Sequence, residues 1–336
     1  MSVADALLHL AAGDTNAAVV ECGRVERSSP LAAHLARHLV GPASTAVYVD
    51  PAAFERFISG GSNVDLYAQT IQVLAELNER RRPASLLDIG CGDGRITAAV
   101  LPTSCERIHL LEPSTAMLEK AVARVARVVD DVRTTRAGFE DLFTDRPHDV
   151  WDAVQSTFAL HTLPPQECID SLRKLARRTR SLAVVEFDVP AFNDRSPGHA
   201  DYAAAAYEAG VAEYEHDQLV IDGFLLPVLV GQFAPERQRH THERPARAWV
   251  DELRRAGFTS VTTTHVATYW WANAVLIHGA SDAPSVRGEL EETEVAGEQL
   301  HRAMQRFGDH GEVVFESGLD VVVDPEPPHP DSSPRS

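Results

Sequence analysis

Three glycines at alternate positions form the part of the chain best suited to hold a ligand. Residues 85–97 read Ser-Leu-Leu-Asp-Ile-Gly-Cys-Gly-Asp-Gly-Arg-Ile-Thr, an apolar run followed by Gly90, Gly92 and Gly94 and then by a helical stretch that begins at Arg95. Because glycine has no side chain, the backbone of such a turn can pass close to a bound molecule. The pattern predicts a buried strand, a tight turn that holds the ligand, and a helix.

An acid follows the turn at the distance where nucleotide-binding folds place a ribose-binding carboxylate. A second apolar run, residues 107–111, ends at Glu112, 22 residues after Gly90, and the expected spacing is about 20 residues. The glycines are spaced GxGxG, whereas dinucleotide sites have GxGxxG, and Asp88 and Asp93 lie at the turn. Two carboxylates would repel a pyrophosphate and suit a cationic ligand. An ordinary strand-to-helix turn without a ligand is the alternative.

These residues resemble the first motif, D-x-G-x-G-x-G, of the class I S-adenosylmethionine-dependent methyltransferases. The resemblance covers roughly residues 83–190 and 244–280, and it implies that S-adenosylmethionine, which carries a sulfonium and an ammonium, is the cofactor. It also implies that Asp88 orients the turn or contacts the methionine ammonium, and that Glu112 accepts hydrogen bonds from the ribose hydroxyls. Further contacts are assigned to the methionine and ribose (Gly90, Gly92, Gly94) and to the adenine (Pro113, Met117).

The chain departs from the family pattern at the expected adenine site. Family members often carry an acid after the third strand that bonds the adenine amino group, and this chain has Gly138 there. Either Phe139 stacks on the adenine edge, with Glu140 or the backbone bonding the amino group, or Phe139 is an ordinary core residue. Ser156 is also assigned to the cofactor site, because the end of the fourth strand faces the donor in this family.

The alternation of strand and helix from residue 83 onwards predicts an α/β fold. Such alternation favours a parallel sheet with right-handed crossovers, and the resemblance implies a doubly wound, mostly parallel, Rossmann-like sheet of seven strands with an antiparallel last strand. The last two strands are predicted at residues 258–266 and 269–278. The predicted parts are an N-terminal helical lid (1–82), the core (83–190 and 244–280), an insertion that caps the acceptor site (191–243), a C-terminal helix and hairpin appendage (281–323) and a disordered tail (324–336).

The strand ends and the insertion supply the candidates for catalysis and acceptor binding. Ligands bind outside the carboxyl ends of the strands in open α/β sheets, and the segment after the fourth strand faces the donor methyl in the resembling family. His161 lies there and titrates near neutral pH, so it is the first candidate for a general base, with a purely structural histidine as the alternative. The other catalytic candidates are Glu186 and Tyr202, and the acceptor-binding candidates are Tyr67, Asp188, His199, Tyr207 and Tyr214, for which packing or ion pairing is the alternative role.

The composition limits the class of partner. The 336 residues include 49 acidic and 31 basic side chains, a net charge of −18, which argues against nucleic acid because its binding depends on clustered Lys and Arg. A small molecule or a peptide fits this charge better. Four scattered cysteines predict reduced thiols and no metal site. No signal peptide and no bilayer-length apolar run is apparent, which predicts a cytoplasmic protein outside the membrane. The C-terminal appendage has three alternative roles, namely extra strands, a homodimer contact or partner docking.

The predicted function is methyl transfer from S-adenosylmethionine, by in-line displacement, to a small-molecule or peptide acceptor. An amine nitrogen in a tailoring or biosynthetic pathway is favoured, because carboxylates and aromatic faces hold cations. An O-methyltransferase of a small hydroxylated metabolite is the nearest alternative, and a non-catalytic subunit with the same fold is another. An NAD-dependent oxidoreductase is disfavoured by the GxGxG spacing.

Overall fold

The computed structural model describes residues 2–41, 51–145, 148–236 and 241–283, and its strands in these ranges form a single sheet. The strands are β1 (Ser85–Ile89), β2 (Arg107–Leu111), β3 (Asp131–Thr135), β4 (Ala153–Thr157), β5 (Ser181–Phe187), β6 (Thr259–Ala267) and β7 (Ala274–Ala280). Their order is β3-β2-β1-β4-β5-β7-β6. The first five strands are parallel, and β7 runs antiparallel to both β5 and β6. The predicted α/β class and antiparallel last strand are confirmed.

Helices flank the sheet on both faces. They are α1 (Val3–Ala11), α2 (Thr15–Val25), α3 (Pro30–Val40), α4 (Pro51–Ile58), α5 (Asn63–Arg81), α6 (Arg95–Val100), α7 (Thr115–Val125), α8 (Leu142–Asp145), α9 (Pro165–Leu175), α10 (Pro197–Glu213), α11 (Gln218–Val220), α12 (Leu226–Phe233) and α13 (Ala246–Ala256). A π-helical turn, Ile221–Leu225, joins α11 to α12.

Strand β5 shows how the two faces of the sheet are used. Its side chains alternate between the faces, as in any strand. Ala183 and Val185 belong to an apolar cluster with the N-terminal helices and the insertion, whereas Leu182 and Val184 belong to a second cluster with α9 and α13. Both faces of this strand are therefore buried, as expected for a parallel sheet wound on both sides.

The N-terminal helices and the insertion share one apolar core. Phe57 of α4 stacks on Phe224 of the π-helical turn, with ring centroids 4.2 Å apart. Ser29, which caps α3, donates a hydrogen bond of 2.5 Å to Glu208 of α10. Side chains of α1, α3, α5, α10 and α12 all contribute to the same buried cluster. The segments predicted separately as a lid and a cap thus form a continuous helical layer over one face of the sheet.

The last strand begins later than predicted. The prediction of a strand at residues 269–278 is wrong at its start, because β7 begins at Ala274 and the preceding residues form a loop. In this loop, Trp270 packs so closely on α10 that a Cβ added to Gly210 would lie 3.1 Å from its ring. The loop aromatics belong to the helical layer, so the high strand propensity of these residues is overridden by their packing.

The predicted C-terminal appendage and tail lie outside the described residues, except for residues 281–283. Among the helices in the described ranges, none combines the length and apolarity required to cross a membrane.

Candidate active site

The glycine turn has the geometry that its sequence predicted. Gly90, Gly92 and Gly94 have φ angles of +68°, +55° and +74°, in the left-handed region that favours glycine. A Cβ on Gly90 would lie 2.4 Å from the Cβ of Ala159, and one on Gly94 would lie 2.7 Å from the Cα of Ala121, so packing requires glycine at both positions. A Cβ on Gly92 would meet no atom within 4 Å. The turn is therefore open at Gly92, where a ligand can lie against the backbone.

Asp88 lies buried at the end of β1, beside the turn. Its Oδ2 accepts hydrogen bonds from Thr97 Oγ1 (2.6 Å) and from Gln155 Nε2 (2.8 Å). Its Oδ1 is buried and has no hydrogen-bond partner among the described residues. Burial raises the pKa of Asp88 to about 6, although the hydrogen bonds from Thr97 and Gln155 oppose this shift. Because a buried oxygen without a partner is unfavourable, Asp88 is arranged to meet a donor group of a ligand.

Glu112 lies directly against the glycine turn. Its Oε2 accepts a hydrogen bond of 3.1 Å from the Gly92 amide, and its Oε1 accepts one of 2.9 Å from the Ser114 amide. The two groups meet because β1 and β2 are parallel neighbours, so their carboxyl ends lie at the same edge of the sheet. A carboxylate has about four acceptor positions, which leaves capacity for ligand hydroxyls. The structure thus brings the predicted ribose acid to the predicted turn.

The second acid of the turn does not present an unpaired charge, and this corrects the sequence interpretation. The carboxylate of Asp93 forms ion pairs of 2.8 Å with both Arg95 and Arg124, and Arg95 also pairs with Glu55 at 2.7 Å. Burial raises the pKa of Asp93, but the hydrogen bonds from the two arginines outweigh burial, and the net shift is downward. Of the two acids, Asp88 is therefore the one whose carboxylate has no arginine partner among the described residues.

Two of the predicted cofactor residues are buried in supporting positions. Phe139 is 3% exposed, and its ring packs against Phe143 at a centroid distance of 6.2 Å within the core. This geometry favours the core alternative over stacking on adenine. Ser156 is fully buried and donates a hydrogen bond of 2.9 Å to the carbonyl of Ile89. It therefore holds the end of β1, next to the glycine turn.

The remaining adenine candidates lie nearer the surface. Pro113 is exposed and Met117 is half-buried, in the loop after β2 and in the first turn of α7. Glu140 is exposed, and its carboxylate folds back so far that a Cβ on Gly138 would lie 2.3 Å from Oε1. The adenine contacts of Pro113, Met117 and Glu140 stay predictions.

His161 and Glu186 form a hydrogen-bonded pair at the carboxyl ends of β4 and β5. The Nδ1 atom of His161 lies 2.9 Å from Oε2 of Glu186, and the backbone amide of His161 donates to Oε1 of the same carboxylate at 3.1 Å. Because an ionised carboxylate only accepts hydrogen bonds, Nδ1 carries the proton and Nε2 is the nitrogen that faces away from Glu186. Burial lowers the pKa of His161, but the charge and hydrogen bond of Glu186 raise it to about 9.

The comparison with known families agrees with the motif, the strand order and the glycine turn. Residues 86–181 match the family model described as a methyltransferase domain. The chain carries a class I S-adenosylmethionine-dependent methyltransferase domain. The matched residues run from β1 to the start of β5 and so include the glycine turn, Glu112 and His161. No curated protein matches the chain.

Several solved methyltransferases are similar to this one in fold. An O-methyltransferase family protein from Burkholderia thailandensis is 15% identical, with 80% of this chain and 72% of that chain covered and a TM-score of 0.49. The N-methyltransferase NodS from Bradyrhizobium japonicum is 11% identical, with 66% and 98% covered and a TM-score of 0.43. Magnesium protoporphyrin IX methyltransferase from Synechocystis PCC 6803 is 12% identical, with 69% and 90% covered and a TM-score of 0.44. Sequence identities this low do not identify the methyl acceptor of this protein.

The residues of the methyltransferase site fit S-adenosylmethionine. The partnerless Oδ1 of Asp88 suits a cationic donor group, the open side of Gly92 gives a cofactor access to the backbone, and Glu112 offers acceptor positions for ribose hydroxyls. We found no group of three or more His, Cys, Asp or Glu side chains, within the ranges that the structure describes, that could hold a metal ion.

A cavity of about 160 Å³ lies between the segment that follows β5 and the insertion. It is lined by Val189, Pro190, Ala191, Phe192, Asp194, His199, Gln232, Glu243 and Trp271. Glu243 connects the cavity to the His161–Glu186 pair, because it lines the cavity and its charge also contributes to the raised pKa of His161.

Of the predicted acceptor residues, His199 lies at the cavity and Tyr67 lies near the residue that follows β4. His199 lines the cavity, but its ring is buried: Nδ1 accepts a hydrogen bond from the Arg195 amide at 3.1 Å, and Nε2 lies 3.2 Å from Gln232 Oε1. Tyr67 is half-buried in α5, with its ring 6.3 Å from that of Phe158, the residue that follows β4. Both remain candidates for acceptor contact.

Two further candidates, Tyr202 and Tyr207, have structural contacts that give no support to the predicted roles. The hydroxyl of Tyr202 donates to the carbonyl of Trp271, and burial, followed by the charges of Asp188 and Glu243, raises the pKa of Tyr202 to about 12. A phenol engaged and shifted in this way is poorly suited to proton transfer at neutral pH. Tyr207 is 3% exposed and packs edge-on against the ring of Trp271 at 5.6 Å.

Tyr214 and Asp188 likewise hold the fold together. Tyr214 is 5% exposed, and its hydroxyl lies within hydrogen-bond distance of two backbone carbonyls at the end of α4 and in the turn that follows, while it accepts a hydrogen bond of 2.9 Å from Asn63. Asp188 is exposed, and its Oδ1 accepts a hydrogen bond of 2.7 Å from the amide of Ala246, at the start of α13. It therefore caps that helix.

Four residues that the structure brings to the site were not predicted from the sequence. Thr97 and Gln155 hold Asp88, and Glu243 and Arg244 lie near His161. Gln155 had a visible signal, since it is a polar residue inside an otherwise buried strand and pairs in register with Asp88. Glu243 and Arg244 had none, because they lie 82 and 83 residues after His161.

A matched pair of substitutions tests the glycine turn. Gly92→Ala should leave the fold intact, because its Cβ enters open space, at a cost of about 1–2 kcal/mol for the left-handed backbone, yet it should weaken S-adenosylmethionine binding. Gly94→Ala should lower the melting temperature more, because its Cβ would overlap the backbone of Ala121. Melting curves and calorimetry with S-adenosylhomocysteine measure the two effects. Equal losses of stability in both variants would contradict this assignment.

Proposed function

We propose that the methyltransferase transfers a methyl group to an amine nitrogen of a small molecule bound in the cavity beside His161. The single observation that carries this proposal is the His161–Glu186 pair, at 2.9 Å, which is linked to the cavity by Glu243, a residue that lines the cavity and whose charge acts on His161. A base oriented by a carboxylate is useful only to an acceptor that arrives with a proton to lose.

The lining of the cavity suits an amine that carries an apolar or aromatic body. The rings of Phe192 and Trp271 offer apolar and π surfaces, and Asp194 and Glu243 bring negative charge to the same wall. Aromatic faces and carboxylates both attract cations. A cavity of about 150 Å³ holds a benzene-sized ligand, so a volume of about 160 Å³ fits one small ring or an equivalent chain.

The proton of the acceptor passes to His161 in this proposal. With Nδ1–H donated to Glu186, neutral His161 presents Nε2 as a base, and Glu186 stabilises the imidazolium that forms. The acceptor nitrogen then has a lone pair for attack. Bound S-adenosylmethionine supplies the methyl group as an electrophile and leaves as a neutral thioether, so alignment of the acceptor by the cavity contributes most of the remaining acceleration.

A hydroxyl acceptor is the second candidate, and the same pair favours it. A hydroxyl also requires removal of its proton, and a His–Glu pair with Nε2 directed away from the carboxylate can perform this step. The acidic wall of the cavity favours an amine over a hydroxyl as the acceptor.

A methylation assay with matched acceptors separates the candidates. Purified protein is incubated with S-adenosylmethionine and pairs of ring compounds that differ only in an amine or a hydroxyl, such as benzylamine and benzyl alcohol. We expect S-adenosylhomocysteine release and methylated product, identified by mass spectrometry, with the amines. Transfer only to hydroxyls would replace the amine by the second candidate. Binding of S-adenosylhomocysteine without transfer to any acceptor of either class would point to a non-catalytic subunit.

A further inference from the structure

We propose that Arg244, held by Glu252, is a positioning residue for His161 and for the Glu243 wall of the acceptor cavity. This inference rests on the proposed role of His161 as the base. None of the sequence patterns assigned a function to Arg244 or Glu252.

Arg244 is fixed by three contacts in a buried position. Its Nη2 lies 2.8 Å from Oε2 of Glu252, and the two side chains are 8% and 4% exposed. Its Nη1 donates a hydrogen bond of 2.7 Å to the carbonyl of His242, and its guanidinium lies over the ring of Trp249, 3.5 Å from the ring centroid. The planar, forked guanidinium is suited to making two directed hydrogen bonds and a stacking contact at once.

The segment that Arg244 fixes is bonded directly to the base. The amide of His242 donates a hydrogen bond of 2.5 Å to the carbonyl of His161. On the other side of His161, both its amide and its Nδ1 contact Glu186. The backbone and ring of His161 are thus held between β5 and residues 241–244, and the second of these supports is anchored by Arg244.

The same segment shapes the cavity. Glu243 lies between His242, which bonds His161, and Arg244, which bonds Glu252, and its side chain lines the cavity. Asp188 forms a β-bridge with Arg244 and so joins the segment to the end of β5. One anchored segment therefore sets the distance between the base and the wall that faces the acceptor.

Stability alone does not explain a charged pair at this place. The desolvation of two buried ions largely offsets their attraction, and apolar side chains of similar volume often stabilise a protein equally well or better. An apolar pair cannot donate a hydrogen bond to the carbonyl of His242. The hydrogen bond from Arg244 to the carbonyl of His242 is therefore the contact that needs an arginine, and it is also the contact that positions residues 241–244.

The pKa of His161 distinguishes a positioning role of Arg244 from a merely structural one, because a merely structural role would leave this pKa unchanged. Protein labelled with ¹⁵N-histidine is titrated by NMR, and the His161 ring signal is assigned by its loss in His161→Gln. The charged groups that act on this ring are Glu186, Glu243 and Arg244. In the wild type we expect the pKa of His161 near the value of about 9 that the Glu186 contact produces.

Arg244→Lys is the test variant. Lysine keeps the charge but cannot bond both Glu252 and the His242 carbonyl in the same fork geometry, so the His161 ring should loosen from Glu186. We expect its pKa to fall toward the ordinary value by about one unit, a tenfold loss of proton affinity. Arg107→Lys is the matched control, because Arg107 pairs with Asp131 at 2.7 Å at the amino ends of β2 and β3, and it should leave the titration unchanged.

A second variant covers the case in which Arg244→Lys does not fold. Arg244→Met combined with Glu252→Met removes both buried charges together, which buried pairs tolerate, and also removes the donor to the His242 carbonyl. Binding of S-adenosylhomocysteine by calorimetry verifies the fold of each variant. We expect the pKa of His161 to fall in the folded double variant as well, whereas loss of the Arg244 charge alone would raise it.

The outcomes separate this inference from the function on which it rests. A raised pKa in the wild type that stays unchanged in the folded Arg244 variants would overturn the positioning role and leave the proposed base intact. A wild-type His161 that titrates near 6.5 would show that the Glu186 contact is not formed in solution, and both proposals would fail together. A shift confined to the Arg244 variants supports the inference.

Discussion

His161→Gln is expected to lower kcat/KM for the acceptor by about 10²- to 10⁴-fold, the usual contribution of a positioned base. Glutamine fills a similar volume and has no basic nitrogen, so the acceptor proton has no nearby destination. The affinity for S-adenosylmethionine should not change, because the cofactor candidates Asp88, Gly92 and Glu112 lie at the ends of β1 and β2. Steady-state kinetics and calorimetry measure the two quantities.

The control for this variant is His216→Gln. The side chain of His216 is 93% exposed at the surface of the insertion, so its replacement should leave kcat/KM unchanged. If His161→Gln retained full activity, the acceptor would not need this base, and the proposed function would lose its main support.

The pH dependence of the wild type follows from the raised pKa of His161. Only the neutral imidazole accepts a proton, so kcat/KM should rise about tenfold per pH unit up to about 9 and then level off. The stability contribution has the opposite sign: a histidine with a raised pKa stabilises the fold fully below 6.5 and loses this contribution as the pH rises through about 9. Melting curves at each pH separate inactivation by unfolding from titration of the base.

Asp88→Asn is expected to weaken S-adenosylmethionine binding by about 10- to 150-fold. This range corresponds to the loss of one hydrogen bond to a charged group, about 1.5–3 kcal/mol. The asparagine oxygen can still accept from Thr97 and Gln155, so the fold should survive, whereas the buried position of Oδ1 becomes an amide donor that cannot accept from the cofactor. Calorimetry with S-adenosylmethionine, together with melting curves, measures both effects.

Two further measurements strengthen this test. Because the pKa of Asp88 is raised to about 6, cofactor affinity in the wild type should fall as the pH drops through that value and Asp88 becomes protonated. Asp88→Asn should remove this dependence. Asp131→Asn, at a half-buried ion pair away from the turn, is the matched control and should bind the cofactor normally. Wild-type affinity for Asp88→Asn would exclude Asp88 from the cofactor site.

The two proposed roles together predict how the activity of the enzyme rises with pH. In these proposals, cofactor binding needs ionised Asp88, above about pH 6, and the base needs neutral His161, toward about pH 9. Activity should therefore rise through this whole interval. Asp88→Asn should remove the pH dependence of cofactor affinity near pH 6, and His161→Gln should remove the rise of kcat/KM toward pH 9. The two effects can therefore be assigned separately.

The cofactor turn could be predicted from the sequence because its parts are local. Strand, turn, helix and second strand follow one another within residues 85–112, and the parallel β1–β2 pairing then brings Glu112 to Gly92 without help from distant segments. Positions 90, 92 and 94 have positive φ angles, a backbone conformation that glycine adopts more easily than any other residue type. The alternation of strand and helix likewise determined the fold class.

The ion pairing of Asp93 in the cofactor turn and the arrangement of the acceptor side were decided by tertiary structure alone. Arg124 of α7 neutralises Asp93, and the segment at residues 241–244, at the end of the insertion, returns to hold His161. Tyr207 and Tyr214 were predicted to contact the acceptor. Both are buried in the core that the N-terminal helices and the insertion share. A local pattern determines periodicity and turns, whereas the partner of a buried polar group depends on which distant segments pack against it.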